Sequence, residues 1–529
     1  MYSKDISDTE LADMIPATMG TQHPDNSKVV PFGDDLIKPR TSKKVPFNLE
    51  PLEVHYNFQS LSAAEVMIDF EGKMGHPAPL PSVIDQDPEF YQKNPIGKSF
   101  LITPRIPNPR KSGTDPIFQQ SFGPFVNSVI FNIQRLCQMG QPILEFVMPQ
   151  VESGEVIARL ERRLVEHFDR YKDEYGEDFP GEDFPYKGDF YVWGIPLIED
   201  VEHLADPRKI WDEMVEKRKE YTGKDTYVIR TFDARSDPAL QAGMFSAILA
   251  VMLSMSRGIT YEREKGIRVL HILGAGSPPF RGGFTPYSIE DYLDTYPGIS
   301  TTTIQSAFRY DWPQTVVRRA VKRVHEMVPD RWLKRHELVT EFSEEEAKEL
   351  YRIIEMARDR YHKSVAELGE VALKVADKMP SHRDRSKFKG TGSYGRQLMG
   401  MSFPRAIKYT GSFTSLGMPP GLLGLGIYKD FSDDQRKLIE KANPMLPRWI
   451  GKSLLLLNVD NLNRLERDRS LKHVMEDVEV ARDTGEKLPM DTMHYNHISI
   501  TTEILDRLLS GEDFTDSIGE ASEERRYLG

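Results

Sequence analysis

Short apolar runs recur through the first three-fifths of the chain: Val66 to Phe70, Phe100 to Thr103, Ile143 to Met148, Val192 to Ile198, Tyr227 to Phe232 and Val269 to Leu273. Several lead into stretches of helical spacing, among them Val156 to Tyr171 and Ala239 to Met255. Alternation of this kind implies parallel strand–helix–strand units whose strands are buried on both faces. Six strands are clear, and Thr301 to Phe308 and Ala406 to Phe413 are the candidates for two more. The fold class predicted is α/β, a (β/α)8 TIM-like barrel elaborated by additional helices, especially in the C-terminal part.

From about Ser343 the pattern turns helical. Ser343 with Glu346 is a capping-box pair, and the helix it opens is predicted to run to Pro380. Ser432 with Gln435 repeats the signal, and an amphipathic stretch from Thr501 to Leu509 is stopped by Gly511. Between them lies His382 to Gly400, rich in glycine and basic residues and read as a long active-site loop and candidate lid. The organisation predicted is a single domain over 1–529. Most barrel strands and helices fall in about 60–340, and 341–529 holds the helical elaboration, the last barrel strand or strands and the 382–400 loop. The acidic stretch from Tyr171 to Asp183 reads as a solvated excursion, and no fixed-period repeat is present.

A chain of 529 residues exceeds the roughly 250 that one barrel needs, so a large core with helical additions is affordable. The net charge of −12 argues against general nucleic-acid binding, and an anionic substrate must be drawn in by a local arginine cluster. Cys137 is the only cysteine, which removes intramolecular disulfides and thiolate metal clusters. The opening Met1-Tyr2-Ser3-Lys4-Asp5 does not resemble a signal peptide, and the longest apolar runs, such as Ser246 to Met255, fall short of the ~18 residues of a membrane span. A cytoplasmic protein is the expectation.

Charge is concentrated where the predicted strands end. Asp69 and Glu71 follow the first run, Arg105 the second, Glu199 the fourth, Arg235 and Asp237 the fifth, and Arg281 the sixth. The C-terminal strand ends of an α/β barrel share one rim, so these residues converge if the fold is right. Glu199 and Asp237 could hold Mg²⁺ or Mn²⁺, which take oxygen ligands and often only one or two protein carboxylates. Either acid could instead cap the following helix, Asp237 especially, with Pro238 after it. Arg281 lies in a glycine-rich loop, Gly274 to Gly283, that is either a plain turn or an anion nest carrying a bidentate guanidinium. His23, before Pro24, is a surface turn residue or a group able to stabilise a phosphoryl transfer or accept a proton. Arg396 and Arg405 are open to surface salt bridging and to anion binding alike.

Taken together, the motifs resemble the phosphoenolpyruvate carboxylases, in particular the short archaeal type. The resemblance rests on Thr21-Gln22-His23-Pro24-Asp25-Asn26, Ile102-Thr103-Pro104-Arg105-Ile106-Pro107, Ile195-Pro196-Leu197-Ile198-Glu199, Arg235-Ser236-Asp237-Pro238-Ala239, Pro279-Phe280-Arg281-Gly282-Gly283, Pro404-Arg405-Ala406-Ile407 and the Gly417 to Gly424 segment, in the family's order. It implies carboxylation of phosphoenolpyruvate by bicarbonate to oxaloacetate and phosphate, through carboxyphosphate and a pyruvate enolate, with Mg²⁺ or Mn²⁺. On that resemblance Glu199 and Asp237 bind the metal, and His23, Arg105, Arg235 and Arg281 are catalytic. Gly282, Gly283, Arg396 and Arg405 bind substrate. A homotetramer is implied, with no nucleic-acid or membrane partner.

The chain also departs from the larger bacterial and plant enzymes. Their His-Gly-Arg-Gly-Gly loop corresponds to Leu273 to Ser277, with His271 two residues earlier, and a lysine three residues past the metal-binding aspartate is Leu240. Arg235 is the candidate for the missing charge. Two other readings stay open: a Mg²⁺-dependent barrel lyase or aldolase acting on a 2-oxo acid, and a phosphoenolpyruvate-binding sensor without turnover.

Overall fold

In the computed structural model the apolar runs close into an eight-stranded barrel, every strand parallel to its neighbours and the order following the chain. Residues 2–21, 50–70, 78–110, 122–129, 141–175, 191–379, 397–398 and 401–529 are described. The strands are β1 (Thr18–Gly20), β2 (Glu65–Asp69), β3 (Leu101–Arg105), β4 (Glu145–Met148), β5 (Trp193–Ile198), β6 (Val228–Ala234), β7 (Arg268–Gly274) and β8 (Ile299–Ile304). β1 pairs with both β2 and β8 and closes the ring.

Two strand expectations need correction. Ala406–Phe413 is not a strand; it lies in the helix Ala406–Ser415. Its apolar positions Ala406, Tyr409 and Phe413 are spaced for one helical face, a pattern a short run shares with a buried strand. The missing strand is β1, only three residues long, whose Thr-Met-Gly sequence offers no apolar run. The Thr301–Phe308 run is a strand only as far as Ile304; Ser306–Tyr310 is a short helix.

Side chains alternate across each strand, so every second residue points into the barrel. Met19, Val147, Ile195, Leu197, Phe232, Ala234 and Ile272 form one such interior cluster. Towards the N-terminal ends of the strands the filling is polar. Buried Arg230 donates to Glu65 Oε2 at 2.9 Å and to Glu145, and Tyr2 donates to Glu145 Oε1 at 2.8 Å. Two carboxylates around one guanidinium leave this buried charge paired, at the N-terminal face of the barrel, opposite the rim that carries chemistry in this fold.

The principal helices are α1 (Glu155–Tyr175), α2 (Arg208–Thr222), α3 (Ser236–Lys265), α4 (Gln314–Leu333), α5 (Glu344–Lys378), α6 (Ala406–Ser415), α7 (Lys472–Thr484), α8 (Thr492–Ser510) and α9 (Thr515–Glu524). Both predicted capping boxes form, Ser343 with Glu346 and Ser432 with Gln435. α8 begins nine residues before Thr501, and Gly511 ends it in the left-handed conformation as expected. α3 corrects one expectation: from Pro238 to Ser256 it carries no charged side chain and is long and apolar enough to cross a membrane. Almost all of that stretch is buried inside the protein, against the barrel and α5, which accounts for its composition. A kink at Gly243 (φ 86°) divides the helix.

Candidate active site

Glu199 is the first residue beyond β5. Leu197 is paired with Phe232 and Ile198 with Asp233, so Glu199 stands beside the end of β6, where Ser236 and Asp237 open α3. The two acids therefore leave neighbouring strands at the same rim, and both are half-buried. Glu199 is oriented by a backbone donor: Gln150 N–H donates to its Oε2 at 2.9 Å. Gln150 holds the left-handed conformation (φ 53°), a strained choice for a residue other than glycine, and Asn108 Nδ2 fixes it by donating to Gln150 O at 2.9 Å and Pro149 O at 3.0 Å. Strain maintained by a dedicated clamp is characteristic of functional sites.

Asp200, next in sequence, has a different task. It caps the helix Val201–Ala205 through His203 N–H and bonds the His203 ring, raising the histidine's pKa. Asp237 lies in the first turn of α3, so the helix-end reading and the metal reading coexist there. Among the described residues no group of three or more His, Cys, Asp or Glu forms a cage. Two oxygen donors on adjacent strand ends nevertheless fit Mg²⁺ or Mn²⁺, which keep most of their coordination for water and substrate.

Arg281 is buried at the same rim and held on three sides. Its Nε donates to Ser236 Oγ at 2.9 Å, its Nη2 to Gln305 Oε1 at 2.7 Å just past β8, and its Nη1 to the Gly529 oxygen. The loop before it is shaped for this side chain: a Cβ on Gly276 would stand 2.9 Å from Arg281 Cζ. Gly282 (φ 122°) and Gly283 (φ 75°) are required by the turn itself, since a Cβ on Gly283 would meet the Trp449 ring at 2.2 Å. Arg105 sits on the opposite side of the rim, donating to both oxygens of Asp69, Nε to Oδ1 at 3.0 Å and Nη2 to Oδ2 at 2.7 Å. Arg405 is exposed at the start of α6, one turn before Tyr409, whose ring lies 5.7 Å from that of Phe280.

Arg235 is separated from this group. Phe232 and Ala234 point into the barrel, so Arg235 faces the helical layer, fully buried, its Nε donating to Tyr296 Oη at 2.9 Å. His271 faces the same layer, with Nδ1 2.8 Å from Asp233 Oδ2 and Nε2 against Gly258, and does not reach the rim. Leu240 is buried core. His23, Arg396, Glu71 and most of the 382–400 segment lie outside the described residues, as does the end of the acidic excursion. Thr21, two residues before His23, is within them: Arg309 Nη2 donates to its carbonyl oxygen at 2.5 Å and Nη1 to Asn57 Oδ1 at 2.7 Å.

Sequence reasoning passed over Gln150, Asn108, Ser236, Gln305 and Arg309. A polar residue one or two positions past a strand end was the available signal for Gln305 and Gln150, and Ser236 stands beside Asp237; Asn108 and Arg309 act through contacts far apart in the chain.

Acids and arginines stand on the C-terminal rim of a closed parallel barrel, the rim on which (β/α)8 enzymes carry their active sites. Residues 15–529 match the family model for phosphoenolpyruvate carboxylase, and the chain belongs to that family. It is 32% identical over 430 residues to the phosphoenolpyruvate carboxylase of Pyrococcus abyssi, covering 79% of this chain and 84% of that one. It is 30% identical over 463 residues to the enzyme of the same name from Leuconostoc mesenteroides, covering 86% of each. Metallosphaera sedula has another such relative, 29% identical over 464 residues and covering 85% of each chain.

Proposed function

We propose that this enzyme carboxylates phosphoenolpyruvate with bicarbonate, giving oxaloacetate and phosphate, and that it requires Mg²⁺ or Mn²⁺. The observation that carries the reading is the placement of Glu199, Asp237 and Arg281 on one rim, with Arg281 tied to Ser236 beside Asp237. The bound cation would supply a Lewis acid for the substrate's oxygens, held by Glu199 and Asp237.

A bicarbonate oxygen attacks phosphorus and the bond from phosphorus to the enol oxygen breaks, leaving carboxyphosphate and the pyruvate enolate. Carboxyphosphate passes its proton to the departing phosphate as carbon dioxide is released, and the enolate methylene carbon attacks that carbon dioxide. Arg281 is suited to hold phosphate charge because three fixed acceptors already orient its guanidinium before substrate arrives. Arg105 would serve the same anion from across the rim by sharing its fork with Asp69. Arg405 is free to approach from α6, and by sequence position His23 and Arg396 complete the set, His23 stabilising the phosphoryl group in transfer. Gly282 and Gly283 contribute by shaping the loop. The enolate survives only if water is excluded, since protonation would give pyruvate. An assembly of four copies is carried over from the family resemblance and is open to measurement by light scattering.

The test is to incubate the protein with phosphoenolpyruvate, bicarbonate and Mg²⁺ and to measure phosphate, oxaloacetate and pyruvate. Equal amounts of phosphate and oxaloacetate, both abolished without bicarbonate, support the carboxylase. Phosphate with pyruvate alone would replace it by a phosphatase, and binding without products by a sensor. A lyase or aldolase would act on a 2-oxo acid and leave phosphoenolpyruvate untouched. Glu199→Ala and Asp237→Ala should each lower kcat by about 10²-fold or more and raise the metal concentration needed for half-maximal rate.

A further inference from the structure

Behind the rim, Arg235 presents a chemical imbalance. Its side chain is fully buried, Nε is satisfied by Tyr296, and neither Nη1 nor Nη2 has a hydrogen-bond partner. Guanidinium does not lose its proton in a protein, so the positive charge and four N–H groups persist. No carboxylate pairs with it among the described residues. Asp233, two residues earlier on the same face, gives its Oδ2 to His271 and Ser254.

The hydroxyls and carbonyls around Tyr296 are already engaged, and among the described residues Asp233 Oδ1 is the one carboxylate oxygen nearby without a partner. Tyr292 Oη and Thr302 Oγ1 bond each other at 2.8 Å, and Thr295 Oγ1 donates to Asp291 O while accepting from Trp449 Nε1. The carbonyl of Gly274 accepts Arg235 N–H, and the carbonyl of Arg235 accepts Ala239 N–H. Because Tyr296 Oη accepts from Arg235, its own proton is a further donor. Donors still outnumber acceptors here: four Nη protons and the Tyr296 proton are available, against one unpartnered carboxylate oxygen, Asp233 Oδ1, and no carboxylate among the described residues bonds the guanidinium directly. A water accepting there would leave the charge in place, and Asp233 Oδ1 is the single unpartnered carboxylate oxygen nearby to take its protons.

The geometry points to a small inorganic anion bound between the Arg235 guanidinium and the Tyr296 hydroxyl, at a site distinct from the catalytic rim. An anion accepts without donating, so a chloride ion takes up the free Nη1, Nη2 and Tyr296 protons at once and neutralises the charge. Bicarbonate offers the same acceptor chemistry with a planar carboxylate matched to the guanidinium fork. The site lies at the junction of β6 with α3, one residue before Ser236, so filling it stabilises the corner that carries Asp237.

The proposal does not depend on the carboxylase reading, and its test uses stability and scattering, not turnover. The full chain is melted at fixed pH and ionic strength while sodium gluconate is replaced stepwise by bromide, chloride or bicarbonate. Wild-type Tm should rise with the logarithm of the bound anion's concentration, as mass action requires. The slope should vanish in Arg235→Met and weaken in Arg235→Lys and Tyr296→Phe. Comparing the halide and bicarbonate arms identifies the occupant. A purely structural arginine would lower Tm equally in every salt, and equal slopes in wild type and variants would overturn the proposal. Should Arg235→Met fail to fold, wild-type crystals grown in bromide decide it. An anomalous peak within hydrogen-bonding reach of Nη1 and Nη2 supports the site. Its absence, leaving water bridged to the unpaired Asp233 Oδ1, excludes it.

Discussion

Arg281 has its three nitrogens fixed by three different parts of the chain: the start of α3, the end of β8 and Gly529. A lysine could match the charge but not the fork, because an ammonium offers its donors from a single atom. Arg281→Lys should therefore leave Ser236, Gln305 and Gly529 with at most partial replacement of their donor. The expected result is a fall in kcat/KM for phosphoenolpyruvate of about 10²-fold, the usual scale for losing one preorganised donor to developing negative charge. Tm should move by only a few degrees, since the loop is also fixed by Gly276 N–H to Arg281 O at 2.8 Å and Phe284 N–H to Gly276 O at 2.9 Å. A comparable fall in Tm and activity would instead make Arg281 a packing residue. Its candidacy was legible because an arginine after a strand and amid glycines carries its own chemical signal. Its partner Gly529 was not, because nothing local in residues 525–529 encodes a contact 248 positions away.

At the scale of elements, what the sequence revealed depended on how much apolar surface each segment buries. α3 was readable from a long, nearly uncharged apolar run, and α5 from its helical spacing and the Ser343–Glu346 box. β1 was missed because three residues joined on both sides to the barrel need little apolar surface of their own. α6 was misassigned because a segment of eight residues with apolar side chains at only Ala406, Ile407, Tyr409 and Phe413 is too short to separate the two periods. The break in α3 was not anticipated either. Gly243 adopts φ 86°, and a Cβ there would come within 3.1 Å of the Tyr361 ring. Tyr361 in turn donates to Leu240 O at 3.3 Å, so the kink and α5 are fitted to each other. Gly243→Ala should lower stability by about 1–3 kcal/mol, combining the left-handed backbone penalty with displacement of Tyr361. Chemical denaturation would register this as a lower midpoint with an unchanged m-value. An alanine that left the midpoint in place would mean that the helix straightens without cost.

Across the whole molecule the two ends of the barrel are sealed differently, and neither seal could be read from local pattern. Below, Tyr2 joins the Arg230–Glu65–Glu145 cluster; above, the segment after α9 folds back so that Gly529 meets Arg281. Arg525 holds that return, donating to Tyr527 O at 3.0 Å, Leu528 O at 2.7 Å and Ser415 Oγ at 3.2 Å. Its Nη1 also lies 3.4 Å from His497 Nε2 on α8, a contact that requires the imidazole to be neutral. Burial, then Arg525, then His494 all oppose charge on His497 and hold its pKa well below 6.5. As pH falls through about 6.5 the unfolded chain therefore takes up a proton at this position that the folded chain refuses. Folded stability falls with it, by about 1.4 kcal/mol per pH unit until the folded-state value is reached. His497→Gln keeps an acceptor for Arg525 and removes the titration. The variant should lose less stability than wild type between pH 6.5 and pH 5 when both are unfolded in urea, with the difference vanishing above pH 7.5. Parallel pH profiles for the two proteins would assign the acid sensitivity elsewhere and leave Arg525 as a passive clamp.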